Sequence, residues 1–129
     1  MTRQVILMAP QRIGPKRKAS ALQSDALAQL IGDGDLIDLQ DIGEPESWSH
    51  WWRNMLATTE QTVLVLVPDG STLGFRQDQR AERAARMGVS VFILWQPDDA
   101  SWRLMPLRDV DIWPIESRSL SQFSYVIER

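Results

Sequence analysis

The sequence predicts an α/β fold: one three-layer domain whose mostly parallel sheet of four to five strands carries helices on both faces. Three observations lead there. Thr62 to Val67 is apolar at nearly every position, the pattern of a strand covered on both faces in a parallel sheet. Other strand-like runs occur at 5–9, 35–39 and 89–95, with helix-like stretches between them. Strand and helix in alternation build right-handed βαβ units.

The elements follow in order. Val5 to Ala9 is a short buried strand ended by Pro10, and Gln11 to Pro15 is a turn-rich loop with Gly14 and Pro15. A helix is expected from Lys16 to Ile31, with Ala19, Leu22, Ala26 and Leu30 on one stripe and the Gly32-Asp33-Gly34 segment closing it. Asp35 to Leu39 is the second strand and Gln40 to Glu46 a polar loop. Ser47 can N-cap the next helix, in which Trp48, Trp51, Trp52, Met55 and Leu56 repeat at helical spacing. That stripe reads as core or as a dimer surface before it reads as a ligand box. Thr62 to Val67 is the third strand, Phe75 to Met87 a helix closed by Gly88, and Val89 to Trp95 the fourth strand. Ser101 to Leu107 reads as a short strand or a turn, and Val110 to Ile115 as an edge strand, where Pro114 is tolerated. Ser119 to Glu128 fits either a helix or an added strand. No linker or repeat divides the chain, so residues 1–129 form one domain. The expected strand order is the flavodoxin-like 2-1-3-4-5.

Composition narrows the function. A net charge of −3 argues against a nucleic-acid binder, which needs a basic face. The one basic cluster, Arg12, Lys16, Arg17 and Lys18, reads as a solvated helix start or as a phosphate contact beside the first strand. With no Cys and one His, thiolate chemistry, disulfides and His-rich metal sites are excluded, and no metal or cofactor is expected. No apolar stretch approaches a membrane span and no signal-peptide pattern opens the chain, so the expected compartment is the cytoplasm. Neither a Gly-x-Gly-x-x-Gly after the first strand nor a Walker loop is present.

Open parallel sheets bind ligands beyond the carboxyl ends of their strands, where the strand order reverses. In the order 2-1-3 this brings the loops 10–15 and 68–74 into one crevice. Pro10, Gln11, Arg12, Lys16, Pro68, Asp69, Gly70, Ser71 and Gly74 are the binding candidates there. Ser71 either caps the following helix or contacts a phosphate, and Asp69-Gly70 is first a turn dipeptide. Gly74, Asp78, Ala81, Ala85 and Gly88 share a stripe, so Asp78 is expected to point inward near the helix start. Such a carboxylate suits a nucleophile or base acting on a sugar carbon. It equally suits a first-turn residue paired with Arg80 or Arg83. Glu82 is a second acid/base candidate or a partner of Arg83 or Arg86. His50, without a Ser or Cys partner in evidence, is a weak proton-transfer candidate.

Met8-Ala9-Pro10, His50-Trp51-Trp52-Arg53, Leu66-Val67-Pro68-Asp69-Gly70-Ser71, Gly74, Asp78 and Gly88 together resemble the nucleoside 2-deoxyribosyltransferase-like superfamily over the first three quarters of the chain. Toll/interleukin-receptor-like domains share the same general fold. The resemblance implies a nucleoside or nucleotide as ligand and cleavage of its N-glycosidic bond. It aligns the family's catalytic Glu with Asp78, a shorter carboxylate, and lacks the Gly expected between Ala9 and Pro10. The stretch from Asp78 to Gly88 is about two residues longer than the family's pattern. The competing expectation is a non-catalytic interaction module of the same fold, its Trp48, Trp51 and Trp52 helix serving as a homodimer or partner surface.

Overall fold

The computed structural model describes residues 3–9, 13–43, 45–68, 81, 83–96 and 101–107. Its sheet has five strands: β1 (Arg3–Met8), β2 (Asp35–Asp38), β3 (Gln61–Leu66), β4 (Ser90–Trp95) and β5 (Arg103–Leu107). They lie in the order β2-β1-β3-β4-β5, the flavodoxin-like arrangement expected above. β1 is parallel to β2 and β3, β3 is parallel to β4, and β5 alone runs antiparallel, to β4.

The continuous apolar character of β1 and β3 has a direct cause. Successive side chains of a strand point to opposite faces, and here both faces are covered. Ile6, Met8, Leu64, Leu66, Val91 and Ile93 face one layer, where Trp52, Ala81 and Ala84 pack on them. Val5, Leu7, Val63, Val65, Val67 and Leu94 face the other, under Ala21 and Leu27. The first layer is α4 (Trp48–Thr58) with helical residues 81 and 83–86; the second is α1 (Pro15–Leu22) and α2 (Asp25–Ile31).

The structure corrects the chain between β1 and α4 in three places. The expected helix from Lys16 to Ile31 is two helices, broken at Ser24. The Ser24 hydroxyl donates to the Ala21 carbonyl at 2.7 Å and accepts the Leu27 N–H at 3.3 Å, so one side chain closes α1 and caps α2. The inward stripe changes with the break. Ala19 and Leu22 are exposed, while Ala21 and Leu27 are the buried positions. The second strand stops at Asp38, because the Asp38 carboxylate accepts the Gln40 N–H at 3.0 Å and starts α3 (Leu39–Ile42) inside the expected polar loop. Gly43, at φ 71°, closes that turn.

Other expectations hold with shifts of a residue or two. Ser47 caps α4, its hydroxyl accepting the His50 N–H at 3.3 Å. Of the Trp stripe, Trp52 is fully buried core, and Trp48 and Trp51, half-buried, pack edge-to-face beside it. Residues 83–86 end in a Schellman motif, with Val89 N–H bonded to Ala84 O, Gly88 N–H to Ala85 O, and Gly88 at φ 97°. Within the segment 101–107 the strand is Arg103–Leu107, and Pro106 sits in this outer strand of the sheet, where a missing N–H is tolerated. The expected elements at 110–115 and 119–128 lie outside the described residues. Among the described residues no helix is long and apolar enough to cross a membrane.

Candidate functional site

The parallel register puts Met8 at the end of β1 beside Leu66 at the end of β3. The Val67 N–H continues the ladder to Met8 O at 2.9 Å, and Pro68, buried, follows at once. The carboxyl ends of the two central strands are therefore adjacent, with β2 on one side and β4 on the other. This is the reversal of strand order at which open α/β sheets take ligands.

α1 follows β1 in the chain, and its Lys18 reaches Asp38 at the end of β2 on this edge. Gly14 is its N-cap at φ −66°, ψ 149°, Pro15 opens the helix, and there is neither a side-chain cap nor an acidic residue in the first turn. That turn instead carries Lys16, Arg17 and Lys18. A helix N-terminus bears partial positive charge and unsatisfied N–H groups, so three cations there repel one another and the helix end. The structure neutralises one of them. Lys18 Nζ sits 2.5 Å from Asp38 Oδ2 and donates to Gln40 Oε1 at 2.6 Å, which ties α1 to the end of β2. Arg17 is fixed without being neutralised. Its guanidinium carbon lies 5.3 Å over the Trp102 ring, and its Nε is buried with no hydrogen-bond partner. The Trp102 indole N–H donates to Ser20 Oγ at 2.9 Å. Lys16 is exposed and enters none of these contacts. The arrangement offers positive charge and free backbone N–H groups at the carboxyl edge, the chemistry of an anion site.

Of the candidates named from sequence, three are described. Lys16 is in this cluster, and Pro68 is buried at the end of β3. His50 is exposed in the first turn of α4, on the layer opposite α1, so the fold does not bring it together with Lys16. Pro10, Gln11, Arg12, Asp69, Gly70, Ser71, Gly74, Asp78 and Glu82 lie outside the described residues. Ala81 and Ala84 are fully buried against the same cluster as Trp52, while Ala85 is half-buried and Gly88 exposed, so the buried stripe is narrower than the expected one.

Sequence reasoning missed the three residues that arrange the cations. Asp38 had a usable signal, an acidic residue ending a strand just before a helix-compatible Leu-Gln-Asp-Ile. Gln40 had none, and Trp102 meets α1 across 82 positions, a separation without local pattern. Among the described residues no group of three or more His, Cys, Asp or Glu could hold a metal ion. No family model, curated protein or solved structure matches the chain.

Proposed function

We propose that the protein binds a nucleoside or nucleotide at the carboxyl edge of β1 and β3 and cleaves its base–sugar bond. The observation that carries the reading is the first turn of α1. It is uncapped, free of acidic residues and cationic, and it stands where the sheet order reverses. A phosphate or a sugar hydroxyl is the complementary group. In this reading Lys16 and Arg17 meet the anion, with Gln11, Arg12, Ser71 and the 68–74 turn around the sugar. Asp78 is the nucleophile or base. As nucleophile its carboxylate attacks the anomeric carbon, the base departs with the bonding pair, and water releases the sugar. Glu82 is the candidate for protonating the departing base; His50, on the layer opposite α1, is set aside for this role. In the sequence Asp78 stands three positions before the buried Ala81, and the resemblance aligns it with the family's catalytic Glu.

The test is incubation with nucleosides, 2′-deoxynucleoside monophosphates and NAD, followed by chromatography for free base, with Asp78→Ala run in parallel. Base release abolished in the variant establishes the activity. No release, together with no ligand-induced rise in melting temperature, moves the reading to a non-catalytic interaction module. One observation favours that second reading: Trp48 and Trp51 are only half-buried and stack edge-to-face at 5.7 Å, leaving aromatic surface for a second copy or another protein.

A further inference from the structure

We propose that Ser20 is a phosphorylation site whose phosphate is received by Arg17, Lys16 and the Trp102 indole N–H. Ser20 is exposed on α1, and its hydroxyl oxygen is already the acceptor for Trp102 Nε1 at 2.9 Å. Arg17 stands one turn earlier on the same face, with its guanidinium over the same indole and its Nε unpartnered. A hydroxyl, an aromatic N–H donor and an unneutralised guanidinium thus meet at one place. Lys16, Arg17 and Lys18 occupy the fourth, third and second positions before Ser20. Kinases discriminate substrates by charge patterns of this kind, and an acidic substrate cleft selects such a run.

A kinase takes its substrate as an extended segment, so α1 must open locally. Ala21 is its one fully buried residue and its N-terminus has no side-chain cap, so opening starts from that end against the Lys18–Asp38 and Trp102 contacts. The reaction draws on Mg-ATP. A bond forms between Ser20 Oγ and the terminal phosphorus, the bond to ADP breaks, and the hydroxyl proton leaves through the kinase's carboxylate base. The new phosphate lies three and four positions after Arg17 and Lys16, within reach of both, and adds charge-assisted hydrogen bonds to them and to Trp102. It sits in the second half of α1, where the helix dipole disfavours negative charge. The preceding cations oppose that effect. Phosphorylation also draws Arg17 and Lys16 away from the carboxyl edge and lowers anion affinity there, a consequence that rests on the nucleotide-binding reading above.

The experiment treats the full chain with Mg-ATP and the purified catalytic subunit of an arginine-directed serine kinase, beside Ser20→Ala and Trp102→Phe. Intact-mass and peptide mapping are read together with a phosphorus NMR titration. One phosphate per chain on Ser20, absent from Ser20→Ala, is the expected result. Its second ionisation falls below the value of about 6 for an unpaired phosphoserine, and it moves back up in Trp102→Phe. No incorporation, incorporation at another hydroxyl, or a titration equal to that of free phosphoserine overturns the proposal. Deoxynucleotide binding is measured on both forms. Equal affinity overturns the regulatory consequence alone. Binding by neither form removes the nucleotide-binding reading and leaves the modification standing.

Discussion

Gly34→Ala tests whether the close approach of the α2–β2 connection to β1 is a structural requirement. A Cβ built on Gly34 would lie 2.2 Å from the Arg3 carbonyl oxygen and 2.9 Å from its carbonyl carbon. Both are backbone atoms of β1, so no rotamer change relieves the clash. Relief requires β1 and β2 to separate, and they are locked in register from Gln4↔Asp35 onward. Separation there also pulls on Arg3, whose side chain donates to Gln61 Oε1 at 2.9 Å and to Leu30 O at 2.6 Å. Overpacking of this kind costs typically about 1–3 kcal/mol, and backbone on both sides places it near the upper end. For a domain of this length that is a fall of about 10 °C in melting temperature. The urea midpoint should drop with the slope unchanged, because the surface exposed on unfolding is the same. Gly14→Ala is the control. It has nothing within 4 Å of the added carbon and φ −66°, so its effect should stay small. A Gly34→Ala melting temperature within about 2 °C of the parent, less than about 1 kcal/mol, would refute the close approach.

Two further substitutions probe the ties around α1. Ser24→Ala removes the hydroxyl that both closes α1 and caps α2, and should lower stability by about 1 kcal/mol in urea unfolding, whereas Ser24→Gly should lose less; an unchanged urea midpoint in Ser24→Ala would mean that the cap contributes nothing. Asp38→Asn keeps an N-cap for α3 and removes only the charge that faces Lys18. For this partly exposed pair a loss below about 1 kcal/mol that shrinks with added salt is expected, and Asp38→Ala should cost more at every salt concentration because it loses the cap as well. Equal, salt-independent losses in the two variants would refute the separation of roles.

Much of the fold was legible because burial on two faces leaves a pattern that nothing else in a short chain imitates. β1, β3 and β4 are apolar on successive residues, so each was found with its ends within a residue or two. The break at Ser24 was not, because Ala19, Leu22, Ala26 and Leu30 keep helical spacing straight through it. The available signal was Ser24-Asp25, a cap residue followed by an acid in the first turn, set inside a run that seemed continuous by spacing alone. β5 was ambiguous because Pro106 weakens any strand pattern, and only its place at the sheet's edge makes it tolerable. The candidate site was legible as a location and less so as a set of contacts. The carboxyl edge follows from strand order, and strand order follows from the alternation of elements. The Arg17–Trp102 stack and the Lys18–Asp38 pair depend on tertiary neighbours that no local spacing encodes.

The two ends of the sheet are built for different purposes, and the difference argues for where chemistry belongs. At the amino end the polar groups answer one another. Arg3 spans Gln61 and the Leu30 carbonyl, Thr59 Oγ1 donates to Met55 O at 2.8 Å, and the Thr59 and Thr62 hydroxyls meet at 2.7 Å. Gly34 lets the backbone close in on β1 beside them. At the carboxyl end the first turn of α1 has three cations, one carboxylate partner among the described residues, no cap, and a guanidinium nitrogen buried without an acceptor. A buried donor left without a partner and like charges on a helix N-terminus both oppose folding. A bound anion relieves the repulsion among these charges, as does a change to Ala or Glu at Lys16, which forfeits the anion contact as well. A charge reversal at Lys16 that stabilises the free protein while weakening nucleotide binding is therefore the outcome that joins the energetics of α1 to its proposed use.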